Sequence, residues 1–138
     1  MTATLAGIAL PDDIQWVDEF TAWRVGQLIR PTLTGALIVQ ESALQAGRPI
    51  TLQGFDDGSN RFVAPITLAQ LQALQALEEV AGAAPMTLVL LAAGDTTRSF
   101  TVRFRRTDGP AIEARPIKYQ VPAEAGDWFI ATLRLIQV

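Results

Sequence analysis

The chain has 138 residues, 49% of them hydrophobic, with 14 acidic against 11 basic side chains and a net charge of −3. That length supports one domain with a core of its own, and a mildly acidic balance does not attract nucleic acid as a whole. Cysteine and histidine are both absent, which removes disulfides, thiolate metal sites, the usual general base and the Ser-His-Asp and Cys-His mechanisms.

Lys118 is the only lysine beside ten arginines. Arginine suits packed, bidentate contacts, although a GC-rich genome gives the same bias. So apolar a composition in a small domain points toward extra burial by oligomerisation. No stretch approaches the roughly 20 apolar residues that span a bilayer; the longest run, 86–93, is strand-sized. The start lacks a basic n-region, so the protein is expected to stay in the cytoplasm unless it leaves inside an assembly.

In chain order, residues 1–24 read as an extended arm. Trp16, Phe20 and Trp23 stand among Asp18 and Glu19, a pattern that fits core residues with solvated neighbours and equally fits partner contact, since Trp is enriched at interface hot spots. From Val25 the pattern turns to strand as far as Gln40. Pro31 marks an edge or a break, and Gly35 is read as a bulge. Residues 41–48 form a connection with room for one helical turn, and 49–54 alternate as a half-buried strand with Ile50 and Leu52 on one face. Asp56-Asp57-Gly58-Ser59-Asn60 is the strongest turn signal. Counted as a calcium loop from Asp56, its twelfth residue is Thr67 rather than Glu, so the turn reading stands over the metal reading.

Residues 67–81 are the one convincing helix. Thr67 and Gln70 have the form of a capping box, Gly82 lies where a left-handed cap belongs, and Pro85 stops continuation. Leu68, Leu71, Leu74, Leu77 and Val80 recur every third residue, so the row precesses around a helix that turns every 3.6. The helix is either sunk between a sheet and a covering loop, or its first half touches a second subunit.

Beyond it, 86–92 is apolar on both faces and reads as a central strand. Gly94-Asp95 turns the chain into 99–106, where Phe100, Val102 and Phe104 point inward and Thr101, Arg103 and Arg105 outward. A turn at 107–110 leads to a short strand at 111–117, which Pro116 ends or confines to an edge. The last strand, 127–138, is long enough to cross a whole sheet, and its end must be buried or paired. Strands on both sides of one helix predict a mainly β (α+β) domain over 25–138, an antiparallel β-sandwich or barrel with one flanking helix.

No arrangement carries an enzyme's signature, and none is expected to hold a metal or cofactor. Asp12-Asp13 and Asp56-Asp57 sit in turn contexts, and there is no glycine-rich phosphate loop. Among the arginines 98, 103, 105, 106 and 115, Arg103 and Arg105 share a strand face. They either pair across strands with a neighbour carrying Glu113 and Arg115, or form an electrostatic seam between subunits.

The order of features resembles a known group. Trp16-Val17-Asp18-Glu19-Phe20 is followed by Leu33-Thr34-Gly35-Ala36-Leu37-Ile38-Val39-Gln40-Glu41, then Gly47-Arg48-Pro49-Ile50-Thr51-Leu52, the leucine helix, Phe100-Thr101-Val102-Arg103-Phe104-Arg105 and Asp127-Trp128-Phe129. Together these resemble minor and distal tail proteins of long-tailed, non-contractile bacteriophages. The resemblance implies a tail-tube-like fold and a homo-oligomeric ring, usually a hexamer, at the baseplate end of the tail. Its neighbours would be the tail tube and the baseplate hub, with DNA passing through the lumen without sequence-specific binding and no membrane anchor. The chain would then be assembled in the host cytoplasm and reside in the virion. It departs from distal tail proteins in lacking a second, C-terminal domain, which leaves a plain tube subunit open. Trp16, Trp23, Leu68, Leu71, Arg103 and Arg105 are the expected interface carriers. From a different class, a monomeric β-sandwich binding carbohydrate would use Trp16, Trp23 or Trp128 as stacking platforms.

Overall fold

The structure, a computed structural model, describes residues 3–21, 24–44, 47–56, 58–59, 61–118 and 122–138. Its first strands are short: β1 (Thr4–Leu5), β2 (Ile8–Ala9) and β3 (Gln15–Trp16). β4 (Val25–Pro31) and β5 (Leu37–Ala43) form a hairpin, followed by β6 (Pro49–Gln53). A second, tiny hairpin joins β7 (Phe55–Asp56) to β8 (Phe62–Val63), and β9 (Ile66–Thr67) runs straight into helix α1 (Leu68–Glu78). Four longer strands complete the chain: β10 (Met86–Ala92), β11 (Thr96–Phe104), β12 (Ile112–Pro116) and β13 (Trp128–Gln137). With 49% strand and 11% helix, the fold is mainly β with one flanking helix, as the pattern predicts.

β13 organises the main sheet because both its edges are occupied twice. Leu133 opposes Leu52 of β6 and Ile112 of β12, so those strands lie on opposite edges. Further along, Leu135 opposes Ile50 of β6 and Phe104 of β11, while Phe129 opposes Ile66 of β9 and Pro116 of β12. One edge therefore carries β9 and β6, the other β12 and β11. The end is paired as expected: the Val138 amide donates to the Thr101 carbonyl at 3.0 Å, and the Gln137 carbonyl accepts from Gly47 at 2.8 Å.

The main path runs β2-β1-β10-β11-β13-β6-β3, all antiparallel. Laid flat, these seven strands would separate β2 from β3 by about 29 Å. Ala9 and Gln15 are only six residues apart, a reach of about 21 Å fully extended. The sheet must therefore curl until its edges approach. Two aspartates hold the connector in place: Asp12 Oδ1 accepts from the Ala3 amide and Asp13 Oδ2 from the Ala64 amide, both at 3.2 Å.

Alternation along the strands fills the interior with Leu5, Ile50, Leu52, Leu88, Val102, Leu133 and Leu135, and α1 adds Leu71 and Leu74. The capping box at Thr67 and Gln70 is present. The helix ends at Glu78, before the expected 81, with Gly82 in left-handed backbone beyond it. Precession of the leucine row is visible as burial of Leu71 and Leu74 in the middle and partial exposure of Leu68 and Leu77 at the two ends. Gly54 is required where β6 leaves the sheet, since a Cβ there would lie 2.8 Å from the Ala64 carbonyl oxygen.

Three expectations are corrected. Residues 3–16 are not a detached arm: Ala3, Leu5 and Leu10 are buried, and the segment supplies three strands. Two-residue strands are too short to display a period, so the sequence does not betray them. Gly35 is no bulge but part of the β4–β5 turn, with φ +86°, and Glu41–Ala43 extend β5 rather than forming a connection. Finally, β12 pairs with β13 and not with β11, so Glu113 meets Arg134 at 2.7 Å instead of facing Arg103 and Arg105.

Leu74→Ala should cost about 2–5 kcal/mol, the usual range for emptying a packed leucine site. Leu33→Ala at the exposed hairpin tip should stay within about 0.5 kcal/mol. Urea unfolding of both variants checks the contrast.

Candidate assembly surface

β4 and β5 pair with each other along their whole length and, among the described residues, with no other strand. Every residue of β5 is exposed, and every residue of β4 except Gly26. Of fourteen large hydrophobic side chains exposed among the described residues, eight fall within 25–44, so the apolar surface is concentrated here rather than scattered. Leu33 is wholly exposed, Leu37 66% and Ile29 53%.

Opposed residues in an antiparallel pair share a face. One face of the ribbon carries Ile29 with Val39 and Pro31 with Leu37, the other Leu28 with Gln40 and Arg30 with Ile38. Polar anchoring is confined to the ribbon itself: Gln27 Nε2 donates to Glu41 Oε1 at 2.6 Å, and the Thr32 amide to the Ala36 carbonyl at 2.7 Å. A two-stranded hairpin alone is marginal in water, and bare apolar edges template pairing with another chain. The local sequence makes a good ribbon and leaves it without a cover.

The aromatic-acid segment serves a different purpose. The Arg48 guanidinium lies 4.5 Å from the Trp16 ring centroid and that of Arg98 5.3 Å, while Phe100 meets the ring edge-on at 5.3 Å. Glu19 anchors both cations, pairing with Arg98 through its carboxylate and with Arg48 through its carbonyl. Asp18 takes the Thr51 amide at 3.0 Å and the Thr51 hydroxyl at 2.9 Å. These acids therefore strap the segment to β6.

Arg105 closes the same network. It donates to Thr51 Oγ1 at 3.0 Å, to the Leu135 carbonyl at 3.2 Å and to Asp108 Oδ1 at 2.9 Å, with its side chain only 12% exposed. The hydrogen bond from Arg105 holds the Asp108 carboxyl below the ordinary value of 3.8. A depressed carboxylate contributes stability above its unfolded value, and that contribution disappears as pH falls through the folded value.

Of the expected interface carriers, Trp16 is half-buried against the two arginines, Leu71 is buried in the core, and Arg105 is engaged in this network. Leu68 is half-buried at the rim of a groove, Arg103 is exposed on β11, and Trp23 lies outside the described residues. Trp128 is 52% exposed. The sequence reading missed the hairpin as a unit; its signal was the apolar run 37–39 beside Pro31 and the Gly35 turn. Asp57 and Asn60 of the expected turn at 56–60 also lie outside the described residues, although the Gly58 amide donates to Asp56 Oδ1 at 2.9 Å as such a turn requires. Among the described residues no three acidic side chains gather as a metal site would need.

No protein-family model, curated protein or solved structure matches the chain. The geometry of the site has to carry the functional argument.

Arg105→Ala should lower stability by roughly 1–3 kcal/mol, because it strips hydrogen bonds from partly covered partners. It should also raise the pKa of the Asp108 carboxyl, because the lowering hydrogen bond from Arg105 is lost; a carboxyl-carbon NMR titration of both proteins reads this directly.

Proposed function

We propose that the chain is a structural subunit that assembles with copies of itself. In the reading favoured by its resemblance to minor and distal tail proteins, it is a ring-forming protein at the distal end of a bacteriophage tail, joining tube to baseplate hub. The observation that carries the proposal is the β4–β5 hairpin, a ribbon whose two outer edges pair with no strand among the described residues and which carries apolar side chains on both faces. Such a ribbon is completed by neighbours rather than by its own body. A tail-tube-like fold and a hexameric ring belong to this same reading.

The body supports the view by contrast. Its core is filled, and Asp12, Asp13 and Asp18 each accept a backbone amide that holds an edge of the sheet. Among the described residues a carbohydrate module would have to draw on Trp128, 52% exposed, since Trp16 is enclosed by Arg48, Arg98 and Phe100 of its own chain.

Light scattering across a concentration series, with negative-stain images of the same sample, tests the proposal. Mass should climb toward a closed ring, and Leu37→Ser with Val39→Ser should shift the protein toward monomer without loss of its β signature. A wild-type monomer at high concentration, or a double variant that assembles as wild type does, would contradict it.

A further inference from the structure

The body offers one strand edge that matches the hairpin. In β12, the Arg134 amide donates to the Ala111 carbonyl at 2.8 Å and the Ile117 amide to the Trp128 carbonyl at 3.1 Å. Antiparallel ladders repeat every second residue, so Glu113 and Arg115 also turn their backbone toward β13. Ile112 and Ala114 consequently point their amides and carbonyls the other way, to an edge that pairs with no strand among the described residues. Pro116 offers only a carbonyl there.

An open groove of about 900 Å³ borders β12 and extends over β13 to Gln53 and Phe55. Ile112 and Ala114 line it together with Leu68 of α1, and Glu113 and Arg115 line it together with Asp56. Ala114 on one face of β12 and Glu113 and Arg115 on the other are exposed beside its unpaired edge. An exposed strand edge with pockets for alternate side chains is the geometry of strand addition.

β5 has the complementary parity. The Thr32 amide bonds the Ala36 carbonyl and the Leu44 amide bonds the Arg24 carbonyl, so its even-numbered residues face β4. Leu37, Val39, Glu41 and Ala43 present their backbone outward. Seated along β12, Leu37, Val39 and Glu41 fall on the side of Ile112, Ala114 and Leu68, while Ile38 and Gln40 fall on the side of Glu113 and Arg115. A slip of one residue would reverse both matches. The outer edge of β4 fits less well, since Pro31 lacks an amide there.

We propose that β5 of one copy adds as a strand to the free edge of β12 on another copy. This rests on the self-assembly reading and specifies its contact. Charge agrees: Arg24 and Arg30 against Glu41 give residues 24–44 a charge of +1, leaving −4 on the remainder of a chain whose total is −3. Because the two surfaces differ, the contact is heterologous and propagates from copy to copy, closing into a ring where the rotation allows.

The absence of cysteine makes single thiols clean probes. Val39→Cys protein is mixed with Ala114→Cys or Ile112→Cys protein, oxidised mildly, and analysed by non-reducing gel and peptide mass spectrometry. An intermolecular disulfide from position 39 to one of the two β12 positions is expected. Ala114→Pro, which removes an amide not used by β13, should lower the native mass while leaving the circular dichroism unchanged. A wild-type oligomer with neither disulfide, and with Ala114→Pro assembling normally, overturns this contact and leaves self-assembly standing. A wild-type monomer at every concentration overturns both.

Discussion

The fold depends on one strand satisfying four others. β13 gives its two edges to β6, β9, β11 and β12, so the four meet where its inward residues Ala131, Leu133 and Leu135 are buried. A strand shared in this way cannot slip, because a shift of one residue would turn all of these core side chains out at once. Curling of the sheet follows from the short connector between its two edges. The strap of aspartates, with Arg105 behind it, fixes that curl.

Within that frame four acids are committed to architecture. Asp12, Asp13 and Asp18 each accept a backbone amide from a neighbouring segment, and Glu19 holds two arginines against Trp16. What the body leaves over is geometric: a bare strand edge on β12 and a ribbon at β4–β5 whose apolar side chains have no home of their own. The body completes its core, yet eight large hydrophobic side chains stand exposed within 25–44, and in the proposed assembly other copies cover them.

Much of the body was legible in the sequence because its elements are long enough to show a period. Phe100, Val102 and Phe104 alternate over a nine-residue strand, and the Thr67–Gln70 box marks the start of α1 to the residue. Pro116 marked β12 as an edge. The first three strands were illegible, since two residues cannot alternate and only tertiary pairing makes them strands. The hairpin misled for a different reason. A run such as Leu37-Ile38-Val39 looks the same whether its cover comes from its own core or from another molecule, and the burial that separates the two cases is a property of the fold. Likewise, Trp16 beside Asp18 and Glu19 reads equally as core and as interface until Arg48 and Arg98 are found against its ring.

The central claim is that the β4–β5 ribbon is finished by another copy. Amide hydrogen exchange, resolved to residues 25–43 and followed over a dilution series, tests it most directly. A ribbon covered by another copy should show strong protection of these amides at high concentration, lost on dilution, while β13 stays protected throughout. Exchange in the ribbon that is fast at every concentration, or slow and independent of it, would contradict the claim.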